Sequence, residues 1–249
     1  MSGALAGKVA FVTGGSRGIG AEIVRRLARE GADVAFTYVS ASSREKARTV
    51  VQEVEAFGRR GLMIEADSAS SEAVRQAVGE AAAWLGRLDI LVNNAGVFPY
   101  GPFERVTAEE LERTLAIHAG AAFVAAQEAS SHLPEGGRII SIGTGLVDRA
   151  TFPGIALYTM SKAALGGLTR ALARELGPRG ITVNLVHPGS IDTDMNPADG
   201  EGAASQVLRT ALGRYLDPGD VAETVAHLAG PGGRSITGTA ITVDAGTNA

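Results

Sequence analysis

The stretch Lys8-Val9-Ala10-Phe11-Val12-Thr13-Gly14-Gly15-Ser16-Arg17-Gly18-Ile19-Gly20 decides the fold. Lys8 to Val12 is a short apolar run of the kind that forms a buried strand. It leads into three spaced glycines, Gly14, Gly18 and Gly20, and then into a helical segment, Ile19 to Glu30, that stops at Gly31. Strand, glycine turn and helix in that order bring bare backbone and a helix N-terminus to one point. That is the arrangement that seats a pyrophosphate. The spacing is G-x-x-x-G-x-G rather than the general G-x-G-x-x-G. On its own it also fits an ordinary glycine-rich turn.

Outward from this unit the alternation continues. Strands are expected at Val34 to Val39, Leu62 to Glu65, Leu88 to Asn93, Arg138 to Ile142, Ile181 to Val186 and Thr239 to Val243. Helices are expected at Ser42 to Phe57, Ser70 to Leu85, Thr107 to His132, Tyr158 to Leu176 and Pro218 to Ala229. Thr107 with Glu110 three residues on has the pattern of a capping box. Such alternation predicts an α/β Rossmann fold: one doubly wound, parallel, seven-stranded sheet with helices on both faces. No composition break divides residues 1–249, so a single dinucleotide-binding catalytic domain is expected. The irregular stretch Gly189 to Ala204 follows the C-terminal end of a strand and reads as the start of a substrate lid spanning about 190–214.

Bulk composition removes several classes of function. With no cysteine among the 249 residues, disulfides, thiolate metal sites and a Cys nucleophile are excluded, and no metal site is expected. A formal charge of −4 argues against nucleic-acid binding. No run is long and apolar enough to suggest a membrane span, and the first residues lack a signal-peptide core. A cytoplasmic protein is the expectation.

Chemistry enters at Tyr158-Thr159-Met160-Ser161-Lys162. A Tyr and a Lys four apart share one helix face. An ammonium near a phenol favours the phenolate, which suits the Tyr to proton transfer near neutral pH. With a dinucleotide seat upstream, the pair suggests a carbonyl reductase or alcohol dehydrogenase.

Thr13 to Gly20, Asn93-Asn94-Ala95-Gly96, Tyr158-x-x-x-Lys162 and Pro188-Gly189-x-x-x-Thr193 stand in an order and at separations that resemble the short-chain dehydrogenase/reductase family. The nearest branch in appearance is the 3-oxoacyl-(acyl-carrier-protein) reductase-like one, to which Ile236-Thr237-Gly238 and Val243-Asp244-Ala245-Gly246 are also similar. The resemblance covers Gly7 to Gly246. It implies cofactor contacts from Gly14, Ser16, Arg17, Gly18, Ile19 and Gly20, from Asp67 and Ser68 beside the adenine, and from Asn94, Ala95 and Gly96 beneath the adenosine. Pro188, Gly189, Ile191 and Thr193 would meet the nicotinamide carboxamide. Lys162 would hold the nicotinamide ribose and lower the pKa of Tyr158. Asn93 and Asn94 have a purely structural alternative, tying neighbouring strands together.

Cofactor choice follows from charge. An NAD site places an acid near the end of the second strand, where this chain has Tyr38. Arg17 with Ser40, Ser42, Ser43 and Arg44 offers a cation and hydroxyl donors to a 2′-phosphate. NADP(H) is therefore expected, although Ser42 could serve only as a helix cap and Arg44 only as a solvated helix face.

Two positions depart from the family pattern. Thr144 stands where Ser is usual for polarising the substrate carbonyl. Ser141, three residues earlier, points to the other face of its strand. His118 stands where the family usually has an Asn that marks a kink, and three roles are open to it: a proton relay through the imidazole, a water contact through its backbone carbonyl, or core packing. His187 reads as structural.

The expected reaction is NADPH-dependent reduction of a ketone, small or carried on an acyl carrier protein, to a secondary alcohol. A 3-oxoacyl thioester is the first substrate guess. An alcohol dehydrogenase acting on a small or polyketide-like substrate and a noncatalytic NADP(H)-binding regulator are the alternatives. Phe98, Tyr100, Phe152, Met195 and Leu208 suggest a partly apolar pocket, and Arg149, Arg209 and Arg214 a docking patch for an acidic carrier. Small residues at Ala121, Ala122, Ala125, Ala126, Ala163, Ala164, Gly166 and Gly167, read with the family's assembly, point to a homotetramer with 222 symmetry, or failing that a dimer.

Overall fold

The computed structural model describes residues 3–249. Seven strands form one parallel sheet in the order β3-β2-β1-β4-β5-β6-β7. They are β1 (Val9–Val12), β2 (Asp33–Tyr38), β3 (Gly61–Glu65), β4 (Ile90–Asn93), β5 (Arg138–Ile142), β6 (Thr182–Pro188) and β7 (Ala240–Val243). The order reverses between β1 and β4, so a crevice opens above their C-terminal ends, where α/β sheets bind ligands. This is the Rossmann architecture expected from the alternation.

Helices cover both faces. On one side pack α1 (Gly18–Arg29), α2 (Arg44–Ala56) and α8 (Pro218–Ala229); on the other pack α3 (Ser71–Leu85), α5 (Ala121–His132) and α6 (Ala156–Leu176). All four residues of β1 are buried, with Ala10 and Val12 in the first core and Val9 and Phe11 in the second. A strand covered on both faces needs a continuous apolar run instead of alternation. That is why Val9 to Val12 reads as it does.

Three expectations need correction. The segment Thr107 to His132 is not one regular helix. Thr107 caps α4 (Ala108–Leu115) by accepting from the Glu110 N–H at 3.1 Å, but a π-helical turn, Ala116–Gly120, separates α4 from α5. Such turns insert one residue into the ladder and are frequent at functional sites. Second, α2 starts at Arg44, after a 3₁₀ turn over Ala41–Ser43, and Ser42 does not cap it. Third, the stretch after β6 contains a short helix, α7 (Ala203–Val207), and two bridges, Ile191 with Leu216 and Thr193 with Asn196. It is less irregular than its composition suggests. No described helix is long and apolar enough to cross a membrane, and no described cluster could hold a metal ion.

Candidate active site

A cleft of about 780 Å³ lies above the C-terminal ends of the central strands. Its floor is the turn after β1. Gly14 and Gly18 have φ of +68° and +52°, left-handed conformations that a side chain would strain. The Gly14 N–H donates to Thr37 Oγ1 at 2.9 Å, tying the turn to β2. Thr13 Oγ1 accepts from the N–H groups of Asn94 (2.9 Å) and Ala95 (3.0 Å). Asn94 Nδ2 donates back to the carbonyls of Thr13 and Gly14. Asn94 therefore locks β4 to the turn, and Asn93 Nδ2 reaches Ser141 on β5. The structural alternative for these asparagines is realised, while Asn94, Ala95 and Gly96 also line the cleft.

No side chain caps α1, and no acid stands in its first turn. Uncapped N–H groups at a helix start bind anions. Arg17 adjoins them, lines the cleft and makes no ion pair among the described residues. Ser16, Ile19, Gly20, Tyr38, Asp67 and Ser68 line the same end. Ser40 and Ser42 do not: their hydroxyls bond each other at 2.9 Å, and it is Ser43 that reaches the cleft wall. The register of β2 on β3 sets Tyr38 beside Glu65. The Tyr38 hydroxyl donates to Glu65 at 3.1 Å, and Arg44 pairs with the same carboxylate at 2.7 Å. A carboxylate does therefore stand near the end of β2, supplied by β3 and neutralised by Arg44. Sequence order could not show it.

At the other end Thr144, Tyr158 and Lys162 come together on one wall. Tyr158 is half-buried, and burial raises its pKa; the Thr144 hydroxyl draws it partly back. Lys162 is 5% exposed. Its ammonium donates to the Ile142 carbonyl at 2.8 Å, and burial lowers its pKa to about 8. Burial thus holds the phenol pKa above its ordinary value, the opposite of the expected direction. Gly96 leaves room for the ammonium: a Cβ there would lie 3.3 Å from Lys162 Nζ. Ser141 is buried in β5 against Asn93, away from the cleft lining, as the alternation required. The Thr144 N–H donates to His187 Nδ1 at 2.9 Å, a structural role for that histidine.

His118, in the π-helical turn, is 2% exposed and does not line the cleft. Its Nε2 accepts from the Val97 N–H at 3.0 Å, and Nδ1 lies 2.8 Å from Ser161 Oγ. Both ring nitrogens are committed, which leaves the imidazole no free position for relaying protons. Ser161 was not foreseen. Its only sequence signal is its place beside Lys162.

Pro188, Gly189, Ile191 and Thr193 line the roof, joined by Gln206 and by Thr247 and Asn248 beyond the last recognised motif. Phe98, Tyr100, Phe152 and Met195 also line the cleft, whereas Leu208 is 86% exposed and outside it. Of the three arginines considered for carrier docking, Arg209 reaches the cleft. Arg149 does not, and Arg214 is paired with Asp220 at 2.9 Å.

A family model described as enoyl-(acyl carrier protein) reductase matches residues 14–248. A short-chain dehydrogenase from Burkholderia cenocepacia J2315, solved in complex with NADP, is 56% identical with a TM-score of 0.96, over 98% of this chain and 99% of that one. The chain belongs to the short-chain dehydrogenases/reductases. Two further proteins are similar to this chain. A blue fluorescent protein from a metagenomic library, solved with NADPH, is 58% identical with a TM-score of 0.97, over 98% of this chain and 99% of that one. The cyclic-di-GMP-binding biofilm dispersal mediator protein of Escherichia coli K12 is 44% identical over 242 residues, 97% of this chain and 98% of that protein.

Proposed function

We propose that this short-chain oxidoreductase reduces a ketone to a secondary alcohol with NADPH. The observation that carries the reading is the assembly of Thr144, Tyr158 and Lys162 on one wall of a cleft whose other end is an uncapped helix start beside Arg17. The glycine turn, the anion-binding N–H groups and an unpaired cation fit NADP(H). When bound, the cofactor supplies the hydride. Tyr158 holds the proton that the carbonyl oxygen receives. The phenol, its pKa raised by burial, is protonated at neutral pH, the form the acid role requires. The Thr144 hydroxyl hydrogen-bonds the same oxygen and stabilises the charge that develops on it. Lys162, still largely protonated at pH 7, places a positive charge beneath the reacting centre. The segment 190–214 roofs the cleft and acts as the substrate lid.

A 3-oxoacyl thioester is one substrate within this reading. The family description names an acyl-carrier-linked reductase, but only one of the three arginines considered for carrier docking faces the cleft. A small or aromatic ketone fits the aromatic lining better.

The resemblance to the dispersal mediator protein supports a second reading, an NADP(H)-binding regulator. A panel of ketones with NADPH and NADH separates the two. Consumption of NADPH with any ketone supports the reductase; NADPH binding with no turnover on the whole panel supports the regulator.

A further inference from the structure

The charged side chains that line the cleft are Arg17, Asp67, Arg113, Lys162, Asp194 and Arg209. Two are acids, and both are neutralised: Asp67 by Arg113 at 3.1 Å and Asp194 by Lys46 at 2.8 Å. Lys162 is turned onto the Ile142 carbonyl. Arg17 stands at the glycine turn, where the proposed cofactor brings its phosphates. That leaves Arg209 with no acid among the described residues.

Arg209 is held in place over the cleft. Its backbone follows α7, which Gln206 pins to the roof through Ser190 and a reciprocal amide pair with Asn196, at 3.1 and 2.9 Å. On its far side, Thr210 Oγ1 donates to the Val207 carbonyl at 2.8 Å and accepts from the Arg214 N–H at 3.2 Å. The guanidinium crosses to the opposite loop, where it lies 6.0 Å from the Phe152 ring and donates to Thr151 Oγ1 at 3.3 Å. From Phe152 a file of rings leads to the reacting phenol. Tyr100 is 6.3 Å from Phe152, Phe98 is 6.3 Å from Tyr100 with parallel planes, and Phe98 meets Tyr158 edge-on at 4.7 Å. Aromatic faces favour flat apolar partners, and a guanidinium favours a carboxylate, which it can hold in a bidentate fork.

We infer that Arg209 selects the substrate, and that the preferred ketone carries a carboxylate on an arm at the far side of a flat apolar body. This rests on the reductase reading above. Arg209 would receive the carboxylate while the carbonyl sits at Tyr158 and Thr144.

The test uses acetophenones bearing a para carboxylate on arms of increasing length, each paired with its methyl ester, and NADPH as reductant. The wild type should favour the acid over its ester at least tenfold in kcat/KM at one arm length, and added salt should reduce that ratio. Arg209→Gln should bring the ratio near one, and Arg209→Lys should retain part of it, because a point charge replaces the fork. Esters reduced as well as acids at every length, or a ratio unchanged in Arg209→Gln, would overturn the inference and leave the reductase reading standing. No turnover of any ketone would overturn both.

Discussion

The imidazole Nδ1 of His118 lies 2.8 Å from the hydroxyl of Ser161, the residue before Lys162. That hydroxyl donates to the Tyr158 carbonyl at 2.8 Å, so it must accept from Nδ1–H. Nε2 accepts from Val97, so the ring is the neutral Nδ1–H tautomer. His118 is thus a clasp between the loop after β4 and the helix that carries Tyr158 and Lys162.

The clasp stays neutral in acid. Burial first, and then the nearby Lys162 charge, lower the His118 pKa to about 3. An unfolded histidine titrates near 6.5. Between those values the unfolded chain takes up a proton that the folded chain refuses, so stability falls as pH drops below about 6.5. The loss from this group approaches about 1.4 kcal/mol per pH unit. Denaturation of His118→Asn should therefore show a shallower loss between pH 6.5 and 4 than the wild type. His187, also lowered by burial, is present in both chains and cancels from the comparison. Parallel curves would contradict the assignment. The pH profile of the reaction should change little in the same variant.

Thr144 is expected to act through its hydroxyl. Thr144→Ser should keep most activity, whereas Thr144→Val, similar in shape, should lose about 10²-fold in kcat, the scale for one donor to a developing oxyanion. A fully active Val variant would move the role elsewhere. Ser141 is a poor substitute, being buried against Asn93.

Preference for NADPH should depend on Arg17. Arg17→Ala should lower kcat/KM for NADPH more than for NADH, compressing the ratio about tenfold or more, since a charge-assisted bond to a phosphate is lost. Tyr38→Asp should act in the same direction and more strongly than its side-chain size suggests, because the new carboxylate would stand beside Glu65. Equal efficiency with both cofactors in the wild type would remove the basis of the argument.

The small-residue pattern that suggested assembly divides: its α6 part remains at the surface, its α5 part does not. Ala121, Ala122, Ala125 and Ala126 are buried in the chain's own core and cannot meet a partner. Ala163, Ala164 and Gly167 remain exposed on α6, and so do the large apolar side chains Phe123 and Met160, at 52% and 50%. We expect a 222 homotetramer in light scattering at micromolar concentration, with Phe123→Glu and Met160→Glu together shifting it toward smaller species. A monomeric wild type would refute this.

The strand-helix alternation, the glycine turn and the Tyr158–Lys162 face were legible because each follows from local pattern: apolar runs, glycine spacing and helical periodicity. What escaped was set by register and tertiary approach. Glu65 joins Tyr38 only because β3 pairs with β2 in one particular register. The π-helical turn was signalled only by the family's kink at the position of His118; the letters Ala116 to Gly120 themselves suit a regular helix equally well. The two bonds of His118 depend on where Val97 and Ser161 arrive from elsewhere in the chain. Lys162 was expected to lower the Tyr158 pKa, yet its burial directs the ammonium to a backbone carbonyl, and desolvation governs both groups.

In the proposed reduction NADPH supplies the hydride and Tyr158 delivers the proton. The most direct test measures NADPH affinity by its fluorescence, and turnover on the best ketone, for the wild type and Tyr158→Phe together. Phe keeps the ring and its edge-on packing with Phe98 but has no transferable proton. Near-wild-type NADPH binding is expected, with turnover reduced about 10³-fold or more. A Phe variant that binds NADPH and keeps most of the wild-type turnover would contradict this role of Tyr158.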